Sequence, residues 1–227
     1  MKTFERDYFE KTSTYGKSGG YAGMSQTVLA FYREYARLAV RAVPAIAIGR
    51  GKTMLEVGCA LGYGIAVFKD FGYDIYGTDI SEYAVERAIA DGGEPKRFAV
   101  ADAQAPNPFQ KRFDLVVSLQ VVEHLPDEGA GVRCLADAVN EGGHLVLATP
   151  NPASVSWYRR YQADPTHVNE HPPEHWTALI ERSGLEIVSA GTYHVLPVLH
   201  KWLGLHYYAV PRWLGYDTLI VARRPAP

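Results

Sequence analysis

The chain is 227 residues long and 47% hydrophobic, with 23 Lys and Arg against 25 Asp and Glu, a formal net charge of −2. That length and apolar content suffice for one sizeable α/β domain with its own core, and the balanced charge lacks the basic excess expected of a nucleic-acid binder. Only Cys59 and Cys134 occur, so there is no disulfide framework and no CxxC metal motif, and a reducing cytoplasm is the expected compartment.

The opening stretch MKTFERDYFEKTSTYG is polar, lacks an apolar h-region and does not read as a signal peptide. No run of about 18 apolar residues occurs, so no membrane span is expected. The first 24 residues are rich in Gly, Tyr and Ser and read as an irregular lead-in. Ser25 is placed to cap a helix to about Val43, in which Val28, Phe31, Tyr32, Tyr35, Leu38 and Ala39 form an apolar stripe of helical period. Pro44 ends it. From Lys52 onward, strand and helix signals alternate. TMLEV (53–57) reads as a buried strand, followed by a loop and a helix to about Phe71. DIYGTD (74–79) is a second strand, after which Ser81 caps the helix EYAVERAIA and Gly92 and Gly93 close it. RFAVAD (97–102) and FDLVVSL (113–119) are the third and fourth strands, a helix spans 128–140, and HLVLATP (144–150) is the fifth strand. PPEHWTALIERSG (172–184) opens on prolines as a helix start does. LEIVSAGTYH (185–194) and DTLIVARR (217–224) are late strands without a crossover helix between them, so one is expected to be antiparallel. The alternation implies a mostly parallel sheet with helices on both faces.

MLEVGCALGYG (54–64) is the most informative stretch. A strand, a Gly-rich turn and a helix make a corner where free N–H groups and the helix dipole converge on a nucleotide. No GK[ST] follows, so it is not a P-loop, and Ala60 breaks the GxGxxG pattern. Glu56 inside the strand would face a pyrophosphate badly, but could hold a cation or a network of hydroxyls. Asp79 ends the second strand 21 residues after Gly58, near the distance at which an acid meets a ribose diol. Asp102 ends the third. Singly, these are turn glycines and caps. Together, three acids at adjacent strand ends suit a nucleoside without phosphates.

Glu56-x-Gly58-x-x-x-Gly62 with Asp79 and Asp102 resembles the class I S-adenosylmethionine (SAM) methyltransferases, and FDLVVSLQVVEHLPD (113–127) resembles their small-molecule, natural-product O-methyltransferase-like branch. The resemblance covers roughly residues 50–150. It implies a three-layer Rossmann-like α/β fold, with a mostly parallel seven-stranded sheet, an antiparallel C-terminal strand and an N-terminal helical cap. Residues 1–50 would be the cap or lid. Residues 51–227 would be the SAM-binding domain, with substrate-cover insertions at about 150–172 and 193–216. By the same resemblance, Asp79 holds the ribose hydroxyls, and Asp102 and the Ala103 backbone read the adenine. The loop Gly58, Cys59, Ala60 to Gly62 passes under the methionine portion, and Glu56 lies beneath it, ordering its amides and facing the methionine ammonium. Ile80 and Gln120 complete the cofactor-binding set. Ala60 departs from the family's usual glycine.

Gln120, Glu123 and His124 stand at i, i+3 and i+4 and would share one face of a helix. They resemble the Glu-x-x-Glu-His pattern of metal-assisted O-methyltransferases, in which a divalent ion binds substrate hydroxyls. The neutral amide of Gln120 is a poorer ligand for a hard cation. A divalent ion therefore stays open, no metal ligand is assigned, and ordering of the loop is the simpler role. His167, His171 and His175 follow in TPNPAS…DPTHVNEHPPEHW (149–176), with His175 expected inside the next helix. A loop histidine is commonly just bonded to backbone. His167 is nevertheless the candidate base for a substrate hydroxyl, because imidazole titrates near neutrality and because its DPTHVN block resembles glycan and natural-product methyltransferases. His124 is the second catalytic candidate, and Asn151 and Asn169 are candidate substrate hydrogen-bonders. Tyr15, Tyr21, Trp157, Tyr158, Tyr161, Trp202, Tyr207, Tyr208 and Trp213 fall outside the expected sheet core. They fit either a lid that stacks on a ring and excludes water or a homodimer interface.

The expectation is a SAM-dependent methyltransferase acting on an oxygen of a small molecule or sugar-containing metabolite, without nucleic-acid or membrane partners. Its rivals are an RNA or N/C-methyltransferase, a non-catalytic SAM-binding protein, and an NAD(P)-binding oxidoreductase.

Overall fold

The computed structural model describes residues 4–11, 25–155, 164–195 and 206–226. The expectations on Tyr15, Tyr21, Trp157, Tyr158, Tyr161 and Trp202 fall outside these residues, as do most of the lead-in and parts of both expected insertions. Helices α1 (Arg6–Glu10) and α2 (Ser25–Ala42) precede a one-turn 3-10 segment (Pro44–Ala47). Then come β1 (Thr53–Val57), α3 (Tyr63–Phe68), β2 (Asp74–Asp79), α4 (Glu82–Ala90), β3 (Phe98–Val100) and β4 (Phe113–Leu119). The chain continues through α5 (Glu128–Asp137), β5 (Val139–Pro150), α6 (Pro173–Arg182), β6 (Glu186–Val195), β7 (Tyr207–Val210) and β8 (Asp217–Arg223).

One eight-stranded sheet has the order β3-β2-β1-β4-β5-β8-β6-β7. The first five strands pair in parallel, and β8 runs antiparallel between β5 and β6. The Rossmann-like expectation holds, with one strand more than expected. That strand, β7, pairs antiparallel with β6 and comes from the Pro- and aromatic-rich stretch, where no period-2 signal stood out. Strand order reverses between β1 and β4, so a crevice opens at their carboxyl ends.

Alternation along the central strands builds a core on each face. Leu115 and Val117 of β4, Val146 of β5 and Val221 of β8 pack with Tyr35, Leu38, Phe68 and Ala88 of α2–α4. Val116, Leu145, Leu147 and Ile220 pack the opposite way, against Leu135 of α5 and Trp176 and Ile180 of α6. Ser81 caps α4 as expected, its hydroxyl accepting from Ala84 N at 3.2 Å. Asp127 does the same for α5 through Ala130 N at 2.8 Å. Among the described residues, no helix is long and apolar enough to cross a membrane.

Several boundaries differ from the sequence reading. β3 stops at Val100, so Asp102 lies in the following turn, where its carboxylate bonds Gln104 instead of closing the strand. β5 starts at Val139 because its pairing with β4 jumps from Phe113↔Val139 to Leu115↔His144, a bulge that absorbs Gly142 and Gly143. Tyr207 is not a surface aromatic. It is 3% exposed and stacks on Tyr35 at 5.4 Å, joined to the core through β7. Trp213, at 55% exposed, is the surface aromatic the reading anticipated.

Trp176 is fully buried and its indole N–H donates to His171 O at 3.1 Å. Trp176→Ala is expected to lower unfolding free energy by about 3–5 kcal/mol, read from urea denaturation. A loss under about 1 kcal/mol would contradict this packing.

Candidate active site

The crevice is lined first by the turn between β1 and α3. Gly58 (φ 78°) and Gly62 (φ 84°) are left-handed, and a Cβ at Gly58 would strike the Val121 side chain, so that turn accepts only glycine. Ala60 is also left-handed, at φ 45°. The strain of an L-residue there is offset by Asp79, whose Oδ2 accepts the Ala60 N–H at 2.9 Å. The N–H groups of Gly58 and Cys59 both donate to Thr78 O, at 2.8 and 2.9 Å. Two neighbouring amides and a third, on Asp79, thus fasten the loop to the end of β2.

Asp79 ends β2, as expected, and is 9% exposed. Its other oxygen accepts the Ser81 N–H at 2.9 Å. Burial raises its pKa, against the amides of Ser81, Ala60 and Ile80. Ala60 and Ser81 place one amide hydrogen bond on each oxygen, and a carboxylate oxygen can accept more than one, which suits a diol. Ile80, 54% exposed, offers an apolar face beside it. Glu56 is 1% exposed and neither of its oxygens has a hydrogen-bond partner. Contrary to expectation it orders no loop amide, since those amides are taken by Thr78 and Asp79. Burial and then the Asp79 charge push its pKa well up. Gly64 exists for this carboxyl: a Cβ there would fall onto it. An orphaned carboxyl, a diol-ready carboxylate and an exposed aliphatic face suit a ligand with a cationic end, a ribose and a ring. Asp102 is exposed on the adjoining edge, and Ala103 packs against the core under it.

Gln120 has its side chain bonded within the protein. It sits left-handed after β4 (φ 58°), and its amide donates to Tyr35 Oη at 3.0 Å and Asp217 Oδ1 at 3.2 Å. Asp217 also accepts from Tyr35 at 2.9 Å and from Tyr207. Burial lifts this carboxyl to about 6, against the donors Tyr207, Tyr35 and Gln120. Because residues 122–124 form only one 3-10 turn, Gln120, Glu123 and His124 do not share a helical face. The turn still brings Glu123 and His124 to the crevice.

Glu123 is fully buried. One oxygen accepts from Thr149 Oγ1 at 3.1 Å and the other has no partner. Burial raises its pKa to about 8. Its carbonyl accepts the amides of Val168 and Asn169, at 2.9 and 3.0 Å, which docks the segment after β5 onto the turn. His124 Nδ1 lies 3.2 Å from Thr166 O and 2.9 Å from Thr166 Oγ1, and burial pulls its pKa to about 4. His167 packs edge-on to it at 4.7 Å and pairs through Nδ1 with Glu170 Oε1 at 2.7 Å. Burial lowers the His167 pKa, but the Glu170 hydrogen bond and the charges of Glu123, Asp164 and Glu170 outweigh it, so the net shift is upward. Glu123, His124 and His167 bring ligand-type atoms within 4.8 Å of one another, a set that could hold a cation.

The two asparagines are not free for substrate. Asn151 donates to Arg212 O and Gly215 O at 2.7 and 2.8 Å, and Asn169 to Leu125 O at 2.5 Å. His171 and His175 stand apart on Glu128. Three groups escaped the sequence reading: Glu170, Thr166 and Asp217. Only Glu170 had a legible signal, its i+3 spacing from His167. Residues of the N-terminal segment reach the crevice, with Phe9 packed on Leu61 and Ala84 and Phe4 edge-on to His124 at 5.4 Å.

Residues 29–190, which contain every one of these site residues up to Glu170, match a family model described as a methyltransferase domain. The chain is 30% identical to a probable S-adenosylmethionine-dependent methyltransferase of Mycolicibacterium smegmatis, over 63% of this chain and 56% of that protein. It is 36% identical to a 2-methyl-6-phytyl-1,4-hydroquinone methyltransferase of Synechocystis, over 73% of this chain and 58% of that protein. The chain thus spans little more than half the length of these relatives. A crystal structure of a SAM-dependent methyltransferase from Archaeoglobus fulgidus shares the fold, with TM-score 0.67 and 21% identity, covering 90% of this chain and 96% of that one. With the family match extending over most of the sequence and the loop, acids and strand order in place, the chain belongs to the class I SAM-dependent methyltransferase family, whose cofactor is S-adenosylmethionine.

Proposed function

We propose that this protein methylates a hydroxyl oxygen of a small molecule, with His167 as the base. The observation that carries the reading is the His167–Glu170 pair beside His124 at the carboxyl edge of β4 and β5. SAM would supply a methyl group on a sulfonium, open to in-line displacement. Asp79 would take the ribose hydroxyls, Ile80, Asp102 and the Ala103 backbone the adenine, and Glu56 the ammonium beneath the loop Gly58–Gly62.

Glu170 holds the Nδ1–H of His167, which leaves Nε2 to receive the acceptor's proton as its oxygen attacks the methyl carbon. Thr166 Oγ1 bonds Asp164 at 2.6 Å and so receives the Nδ1–H of His124, leaving Nε2 of that ring to accept from a second donor group on the substrate and so position it. Phe4 and the N-terminal segment would exclude water from the crevice. The net charge of −2 supports a small acceptor over RNA. A second reading is transfer to carbon. The Synechocystis relative is named for a hydroquinone, and deprotonating a phenol activates its ring carbons as well as its oxygen.

In calorimetric titration, Asp79→Ala should weaken SAM binding by about 1.5–3 kcal/mol, the worth of hydrogen bonds to a charged acceptor, while NAD shows no binding. Unchanged affinity would remove Asp79 from the ribose. With a phenolic acceptor, His167→Asn should cut kcat by about 10²–10⁴ and leave SAM affinity intact. Because a base must be neutral to act, wild-type kcat/KM should rise with pH through the raised His167 pKa, and the variant should lack that limb. NMR of the product then separates a methyl ether from a ring methyl, and the latter would replace oxygen by carbon as the acceptor.

A further inference from the structure

Outside the crevice lies a second convergence of donors. Glu128, His171 and His175 each bring one ligand-type atom within 4.8 Å of the others. Glu128 is the first residue of α5, His175 lies in the first turn of α6, and His171 stands on the strap that joins His167 to α6. Both imidazoles aim Nε2 at a single carboxylate: His175 at 2.6 Å from Oε1 and His171 at 3.0 Å from Oε2. The rings stack at 3.9 Å with 27° between planes.

The two contacts are unequal. His175 makes a hydrogen bond, whereas His171 is at ion-pair distance but misaligned, and Oε2 of Glu128 is enclosed without a hydrogen-bond partner. An enclosed carboxylate oxygen beside an imidazole nitrogen that does not donate to it is costly for protein groups alone. A cation between them would satisfy both. Two neutral imidazoles and a carboxylate are the donor set of zinc, and a poor one for magnesium or calcium, which favour all-oxygen shells.

We propose that Glu128, His171 and His175 bind one Zn²⁺ that clips the start of α5 to the start of α6. Donors around a tetrahedral zinc stand about 3.3 Å apart, so the two imidazole–carboxylate contacts, at 2.6 and 3.0 Å, need open by less than about 1 Å. The side chains are 19%, 34% and 32% exposed, which leaves them room to move and the ion a solvent-facing fourth position. The strap is already pinned where it carries His171, whose carbonyl holds the Trp176 indole. The clip lies four residues from His167 and would hold the strap that carries the His167–Glu170 pair. It is separate from the Glu123, His124 and His167 group and does not depend on the assignment of the methyl acceptor.

The test is Co²⁺ titration of the metal-free full chain, followed by its visible d–d absorption, with Zn²⁺ as competitor. Wild type and His167→Asn should develop the same band and lose it to zinc. His175→Asn and Glu128→Gln should bind at least about tenfold more weakly. Zinc should also raise the Tm of wild type and not that of His175→Asn. His171→Asn supplies the same comparison if His175→Asn does not fold. Absence of the band in wild type, or unchanged binding in both His175→Asn and Glu128→Gln, overturns the proposal. So does a band lost in His167→Asn but kept in His175→Asn, which would put the ion in the crevice.

Discussion

Strands β1 and β4 lie side by side where the strand order reverses, and helices cover both of their faces. Their backbone groups are spent on neighbouring strands, so only the carboxyl edge has room for a ligand. The chain must turn there without filling the crevice, which is why Gly58, Ala60 and Gly62 are left-handed and Gly64 carries no side chain against Glu56. Asp79 makes this turn rigid. One carboxylate receives an amide from the β1 loop and another from the start of α4, so two neighbouring strand ends are set by a single group. An alanine can then hold a conformation that usually belongs to glycine.

The same edge gathers carboxyls that the core would otherwise reject. Glu56, Glu123 and Asp217 are all buried, and desolvation is the first cause of the upward shift in each. Asp217 is compensated by two tyrosines and Gln120, and Glu123 partly by Thr149. Glu56 has no protein donor at all. That gradient separates two acids held by protein donors from one that has none. The two crevice histidines diverge by the same physics. His124 and His167 touch, yet His124 is bonded to neutral Thr166 and shifts down, while His167 is bonded to Glu170 and shifts up. Two touching rings are thus shifted in opposite directions.

Much of this was legible along the chain because it is local. Short apolar runs bounded by turn signals marked β1, β2, β4 and β5, since central strands of a parallel sheet are covered on both faces. Ser81 and the prolines at 172 and 173 marked helix starts by the backbone groups they satisfy or lack. Asp79 was readable because a strand end and its acid are contiguous. Other positions misled for equally physical reasons. Asp102 looked like a strand end, but its partner is Gln104, two residues on, and a side chain that bonds its own turn draws the residue out of the ladder. Glu123 and His124 looked helical, and the chain makes only one tight turn because the carbonyl of Glu123 is needed by Val168 and Asn169. Asn151 and Asn169 looked available until remote backbone carbonyls claimed them.

The amino-acid order by itself determined the alternation of elements, the Gly-rich turn, the acids inside β1 and at the end of β2, and hence the family. These depend on spacing within one or two elements. The tertiary structure decided which polar groups meet across long separations. Tyr35, Tyr207 and Asp217 come from three elements and Gln120 from the turn after β4, and their pairing exists only because β8 inserts antiparallel between β5 and β6. Likewise His124 meets His167, and Glu128 meets His171 and His175, only once the strap after β5 has folded back over α5. Burial and hydrogen-bond partners, which set whether a histidine accepts a proton or only positions, arise from that packing and not from the residue's neighbours in sequence.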